Sequence, residues 1–251
     1  MRGNALSTKT SSRFLWSVSA DFAKMLEVMG VDRVIALDLQ RPGQGQEACF
    51  FSNKVPVESI STVELMIDYI VNNIDLGKHV VVVAPNSEYI KKARKFQKGL
   101  QERLNTIEEC NLAAFLHTDN GNNSPSSRRR DSSNSTFLGS TDVNGADVII
   151  VDDVVETGTT MSVLCKRLVQ DGARRVFMVS SHGLFTANSM ERIHASAIEK
   201  VIVTDSVKLP DVVSSKVVQV SASKALAQVM DTEFCSRVMN RIEDEDEYKM
   251  D

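Results

Sequence analysis

Cysteine is scarce and scattered. Cys49, Cys110, Cys165 and Cys235 are the four in a chain of 251 residues, and no two make a C-x-x-C pair. That spacing supports neither a disulfide framework nor a zinc site, and it suits reduced thiols. Basic charge is not in excess: 29 Lys and Arg stand against 33 Asp and Glu, a formal net charge of −4, so no positive field argues for nucleic acid as a partner. No apolar run approaches the roughly 18 residues of a membrane helix. These absences leave a soluble protein, with the cytoplasm as its expected location. The hydrophobic content of 42% over this length is enough for one large domain or two modest ones.

The N-terminal "MRGNALSTKTSSRF" is rich in Ser and Thr and has no acid before Asp21. Residues 1–16 are expected to be a disordered leader. The same composition suits an organelle transit peptide, or a gene model begun inside a longer protein.

Beyond the leader, helical and strand-like stretches alternate. "SADFAKMLEVMG" has Ser19 as a candidate cap and closes on Gly30, and the strand-like "RVIALDL" and the turn-rich "QRPGQGQ" follow. "TVELMIDYIVNNI" reads as a helix, "KHVVVVAP" as a buried strand, "EYIKKARKFQKGLQERL" as a long basic amphipathic helix and "NLAAFLH" as a strand. Residues 118–136, "TDNGNNSPSSRRRDSSNST", break the periodicity and are expected to be a mobile loop. Order resumes with "ADVIIVDD", "TTMSVLCKRLVQDG", "RRVFMVSSHG", "SMERIHASAI" and "KVIVTD", and residues 236–251 form a solvated acidic tail. Buried Val/Ile runs separated by helices predict an α/β fold with a parallel sheet covered on both faces.

The stretch 148–164, "VIIVDDVVETGTTMSVL", carries the chemistry. In a parallel α/β sheet, ligands bind where a strand's carboxyl end meets the next helix N-terminus. Gly158 permits a tight turn, and Thr157, Thr159 and Thr160 add hydroxyls beside exposed N–H groups, a cradle for phosphate. The carboxylates Asp152 and Asp153 suit sugar hydroxyls, or a divalent cation bridging to a pyrophosphate. The pattern describes a phosphorylated-sugar site. The plainer alternative is a strand exit with two solvated aspartates and a Thr-capped helix.

"VIIVDDVVETGTT" resembles the phosphoribosyl-binding loop of the phosphoribosyltransferase fold. Further stretches narrow the resemblance to the ribose-phosphate pyrophosphokinase (PRPP synthase) family: "SVSADFAKMLEVMGVDRVIALDLQ" with "ACFFSNKVPVESIS", then "VFMVSSHGLFT", then "KVIVTDSVKLP". The resemblance runs from about Val18 to about Met230. It implies a phosphoribosyltransferase-like domain over 77–235, a remnant of a second, similar domain over 17–76, and PRPP formation from ATP and ribose 5-phosphate with Mg²⁺. It also implies that Asp152, Asp153, Glu156, Thr157, Gly158, Thr159 and Thr160 hold ribose 5-phosphate or PRPP, with Glu156 where the family usually has Asp.

The other half of the chemistry departs from the family pattern. Gln40 stands for a metal-site His, and Asn86 for a metal-binding Asp. Ser87–Ile90 replace glycines that admit the nucleotide, and Thr118 and Asn120 replace two cations of the catalytic loop. Arg128, Arg129 and Arg130 reach back toward the site or are merely solvated. His117 and His182 match family positions, while His79 and His194 have no assigned role. The family's Arg-Gln-Asp nucleotide-binding stretch is not in this sequence, which reflects either a loss or an incomplete gene model. Transition-state charge in phosphoryl transfer must be neutralised by metal and cationic groups. The resemblance therefore implies a weakly active or non-catalytic regulatory subunit. The alternatives are a diphosphokinase completed by a partner subunit and, behind it, a phosphoribosyltransferase. Phe50, Phe51 and Val55 are expected to expose apolar surface that a homo-oligomer or a complete PRPP synthase would cover.

Overall fold

Valine and isoleucine runs separated by amphipathic helices build one large sheet and one small one. The computed structural model describes residues 20–39, 51, 55–104, 106–117, 135–139, 142–186 and 188–231. The expected leader 1–16, Gln40, Cys49, Phe50, residues 118–134, Cys235 and the acidic tail 236–251 lie outside the described residues. Two compact units divide the chain, 1–61 and 62–251.

In the first unit residues 20–28 form helix α1. Strand β1 (Val34–Leu37) pairs in parallel with β2 (Val57–Ile60), from Val34 opposite Val57 to Leu37 opposite Ile60. Asp38 leaves β1 with φ 47°, a left-handed turn that Asp tolerates better than most residues, and its N–H donates to the Ile60 carbonyl at 2.7 Å. The expected exposure at Val55 is corrected: Val55 is buried and Phe51 half-buried. Exposed apolar surface lies on α1 and the turn after it instead, at Phe22, Met25, Val28 and Met29.

The second unit opens with helix α2 (Val63–Asn73), which lies inside the stretch 17–76 that the resemblance implies as a remnant domain. Its Val63, Met66, Ile67 and Ile70 are buried in one core with Phe96, Leu100, Val80 and Val82 of this unit. Strand β3 (His79–Ala84) leads through a 3₁₀ turn, Ser87–Tyr89, into α3 (Ile90–Arg103). Next come β4 (Glu109–His117), β5 (Ser135–Gly139), β6 (Asp147–Val155), α4 (Thr159–Gln170), β7 (Arg175–Gly183) and α5 (Ser189–Ala195). Strands β8 (Lys200–Thr204) and β9 (Val217–Val220) follow, and residues 223–231 are helical, α6.

The strands form one sheet in the order β5-β4-β3-β6-β7-β8-β9. All neighbours are parallel except β5, which runs antiparallel to β4 with Ala113 opposite Gly139 and His117 opposite Ser135. Ser135 and Thr136, expected in the mobile loop, thus belong to an edge strand; their backbone groups pair with β4. Side chains alternate across the central strands. Val80, Val82, Ile149 and Val151 face the α2–α3 layer, and Val81, Val83, Val148 and Ile150 face the layer holding Leu164, Leu168 and Ile193. A parallel sheet needs this double cover, because both faces of its strands are apolar. Helices α2 and α3 approach closely at Gly99, where a Cβ would stand 2.7 Å from Ile67 Cδ1.

At the amino end of β6, buried Asp147 gathers three partners. It accepts from Gly77 N–H at 2.8 Å, Arg174 Nε at 2.8 Å, and Arg175 Nη2 at 2.6 Å. Burial alone would raise its carboxyl, but the Arg175 and Arg174 guanidiniums and the Gly77 amide outweigh that and hold it at about 2. Cys110 and Cys165 are free and buried, their thiols pushed up to about 11 by burial, as unreactive reduced cysteines are. Among the described residues no helix is long and apolar enough to cross a membrane.

Candidate functional site

The chain passes from β3 outward to β4 on one side, and from β6 outward to β7 and β8 on the other. The crevice beyond the carboxyl ends of β3 and β6 is therefore the switch point where ligands of such sheets bind. Asn86 follows β3 there, and the 152–160 stretch follows β6.

The turn after β6 is built by its carbonyls. Val155 O accepts from Leu184 N–H at 2.9 Å and Phe185 N–H at 3.2 Å, Glu156 O from Thr186 N–H at 2.9 Å, and Thr157 O from Arg192 Nη1 at 2.7 Å. Gly158 O accepts from Ser162 N–H at 3.0 Å and Ser162 Oγ at 2.9 Å. Four consecutive carbonyls are thus turned toward the protein. In a planar trans peptide the N–H points opposite to the C=O, so the amides of residues 156–159 are directed the other way. Outward amides at the positive end of α4 are the arrangement of an anion cradle, here the candidate site, and Thr159 N–H among them lies 3.4 Å from Thr157 Oγ1. Gly158 caps that helix with φ 69°. A Cβ there would meet only ordinary contacts, the nearest at 3.8 Å, so its backbone angle is what requires glycine. Thr157 Oγ1 and Thr159 Oγ1 lie 3.1 Å apart, and both residues are exposed, as is Glu156; Thr160 is half-buried.

The two aspartates part company. β6 continues through both to Val155, so their side chains leave on opposite faces. Asp152 is half-buried and accepts from Asp153 N–H at 2.8 Å. Burial pushes its carboxyl up to about 6, against the pull of that N–H bond and with the Asp153 charge adding to the rise. Asp153 is buried on the other face and paired with Lys92, whose side chain is only 10% exposed. Lys92 Nζ also donates to Ser181 Oγ at 2.7 Å, and Ser181 Oγ bonds to Thr62 Oγ1 at 2.9 Å. The adjacent pair expected to face one ligand is therefore one carboxylate beside the cradle and one inside an ionic cluster.

Asn86 caps the 3₁₀ turn with its side-chain oxygen, which accepts from Glu88 N–H at 2.8 Å. His182 Nδ1 lies 2.7 Å from Ser206 Oγ at the end of β7. His79 starts β3, at the far edge of the sheet from the cradle, 3.7 Å from Glu109. His194, on α5, offers its carbonyl to Lys216 at 3.1 Å. Among the described residues no three His, Cys, Asp or Glu side chains are grouped to hold a metal ion. Lys92 and Arg192 escaped the sequence reading. The signal for Lys92 was its place one turn before Phe96, on the stripe of α3 that buries Ala93, Phe96 and Leu100.

The sequence profile of the phosphoribosyl synthetase-associated domain matches residues 76–242. The chain belongs to the PRPP synthase family. A relative from Streptococcus pyogenes (serotype M3, strain SSI-1), named provisionally as ribose-phosphate pyrophosphokinase 2, is 33% identical over 208 residues. That match covers 83% of this chain and 57% of the relative. Ribose-phosphate pyrophosphokinase B of Dictyostelium discoideum is 31% identical over 188 residues, covering 74% of this chain and 53% of its own length. The crystal structure of phosphoribosylpyrophosphate synthetase from Mycobacterium smegmatis superimposes with a TM-score of 0.66 at 22% identity, over 87% of this chain and 64% of that one. It supports the fold: a PRPP synthase-like α/β sheet. The chain spans little more than half the length of the curated relatives that it matches.

Proposed function

We propose that this PRPP synthase family chain binds ribose 5-phosphate or PRPP through Asp152, Glu156, Thr157, Gly158, Thr159 and Thr160, and serves PRPP and nucleotide biosynthesis as a weakly active or non-catalytic regulatory subunit. The observation that supports the binding reading is the row of four carbonyls, Val155 to Gly158, bonded to the protein, which leaves the amides of residues 156–158 directed away from those partners. Phosphate oxygens accept from those amides and from the threonine hydroxyls, while Asp152 accepts from sugar hydroxyls. Asp153 acts at one remove, through its pairing with Lys92.

The weak half of the site carries the regulatory reading. Asn86 brings no charge and spends its oxygen on its own turn, and Ser87, Glu88 and Tyr89 fill the positions after it with side chains. The Mg²⁺ implied by family resemblance does not fit the described donors: Asp153 is already neutralised by Lys92, and no three acids or histidines converge. Among the described residues ATP would meet few of the charges that diphosphoryl transfer needs. The partner in this reading is a further copy or a complete PRPP synthase.

The test is PRPP formation from ATP, ribose 5-phosphate and Mg²⁺ by the purified chain, alone and mixed with a complete family member. Little or no product alone and an altered rate in the mixture are expected. Robust turnover by the chain alone overturns the regulatory reading. Turnover only in the mixture, lost with Asp152→Asn in this chain, would favour a diphosphokinase completed by its partner.

A further inference from the structure

The ionic cluster behind the cradle has a consequence for the site's metal requirement. Lys92 leaves the first turn of α3 and reaches Asp153 near the end of β6, so its ammonium ties α3 to that strand. Ser181 of β7 takes a second N–H of the same ammonium at 2.7 Å, and Thr62 completes the chain at 2.9 Å. The pair is deep, with Lys92 10% and Asp153 1% exposed. We infer that Lys92 takes the place of a divalent cation at Asp153, so that the crevice binds no metal of its own and the cradle holds ribose 5-phosphate without magnesium.

Asp152 and Asp153 leave β6 on opposite faces, so one ion cannot reach both carboxylates, and a fixed single charge already neutralises Asp153. An ion entering beside it would be repelled by the ammonium in a poorly screened interior. Mg²⁺ demands near-octahedral oxygen ligands and gives up its water reluctantly. Asp152 has one oxygen engaged by Asp153 N–H, Asn86 has its oxygen on Glu88 N–H, and Glu156 is exposed. That set offers an ion no third carboxylate. A sugar monophosphate needs none, because amides and hydroxyls suffice for its phosphate.

The metal half of this inference stands without the binding reading; the ligand half rests on it, and two measurements keep them apart. First, the ligand-free full chain is titrated with Mn²⁺ and free Mn²⁺ is followed by electron paramagnetic resonance. No stoichiometric uptake is expected, and uptake of one ion per chain overturns the inference. Second, ribose 5-phosphate is titrated calorimetrically in EDTA and again in millimolar MgCl₂. Dissociation constants within about twofold of each other are expected, and binding that appears only with Mg²⁺ overturns the inference. Absence of binding in both buffers refutes the proposed ligand, and the Mn²⁺ result still decides the role of Lys92. Lys92→Met, checked for folding by circular dichroism, should take up Mn²⁺, and Lys92→Arg should not. A folded Lys92→Met chain that still excludes the ion shows that the lysine is not what keeps metal out.

Discussion

Asp147 offers a stability test that leaves the cradle untouched, since it lies at the opposite end of β6. Its carboxylate is fully buried and accepts from both guanidiniums and from Gly77 N–H. The folded carboxyl titrates at about 2, against 3.8 for the free side chain. Between those values the unfolded chain binds the proton that the folded chain has released, so stability rises with pH across that window. It is fully present above about pH 4 and lost as pH falls toward 2. Nearly two units at 1.36 kcal/mol each give about 2.5 kcal/mol. Arg174 is half-exposed, so solvent screening reduces this, and about 2 kcal/mol is the expected contribution. Urea unfolding of the unmodified chain and of Asp147→Asn, repeated from pH 7 to pH 2, checks it. The variant should be about 2 kcal/mol less stable at pH 7, and the two curves should converge as pH approaches 2. Taking the difference removes other carboxylates, such as Asp205, which is also held below its ordinary value, first by Ala222 N–H. A difference that is small at pH 7 and constant down to pH 2 would refute the reasoning.

Four further outcomes are expected. Asp152→Asn with Thr160→Ala should abolish ribose 5-phosphate binding in calorimetry, because a hydroxyl acceptor and a phosphate donor both go; unchanged affinity sinks the site assignment. Gly158→Ala should cost about 1 kcal/mol in urea unfolding, since an alanine at φ 69° sits in the left-handed region, and should weaken binding as the turn relaxes. The Asp152 carboxyl, raised by burial to about 6, should lower affinity as pH drops through 6; the folded state also favours its neutral form, so this group makes stability fall as pH climbs from about 4 to 6, and Asp152→Asn should flatten both profiles. Lys92→Met should cost about 3–5 kcal/mol by leaving Asp153 buried and uncompensated, while Lys92→Met with Asp153→Leu should recover most of it; an equally unstable double variant would contradict a purely ionic origin.

Most of the sheet was legible because its strands are continuous Val/Ile runs: "VVVV" of β3 and "VII" of β6 admit few other readings. β9 was not, because "VVQV" is a four-residue edge strand with half-buried side chains and no apolar run to announce it. β5 begins inside a Ser-rich stretch, and its pairing is supplied by β4 rather than by its own composition. "TVELMIDYIVNNI" reads as a helix, but its apolar stripe does not say which sheet α2 covers. Only the contact with Phe96 and Leu100 assigns it to the second unit.

The site divides along the same line between local and distant causes. The strand end, the turning glycine, the threonines and the helix start of the candidate cradle were readable because they are consecutive, all between residues 152 and 160. The ionic cluster joins Thr62, Lys92, Asp153 and Ser181 from four separate elements, and no local pattern announces such a set. One part of it was nevertheless implicit. If β6 stops at Asp153, both carboxylates can swing toward one ligand; if it runs to Val155, the two-residue period of a strand forces them apart. "VV" after "DD" favours the longer strand, and a buried aspartate on the helix-covered face then demands a cation. Of the residues on the apolar stripe of α3, Lys92 is the one whose chemistry meets that demand, so the lysine and the extended strand are two halves of one constraint.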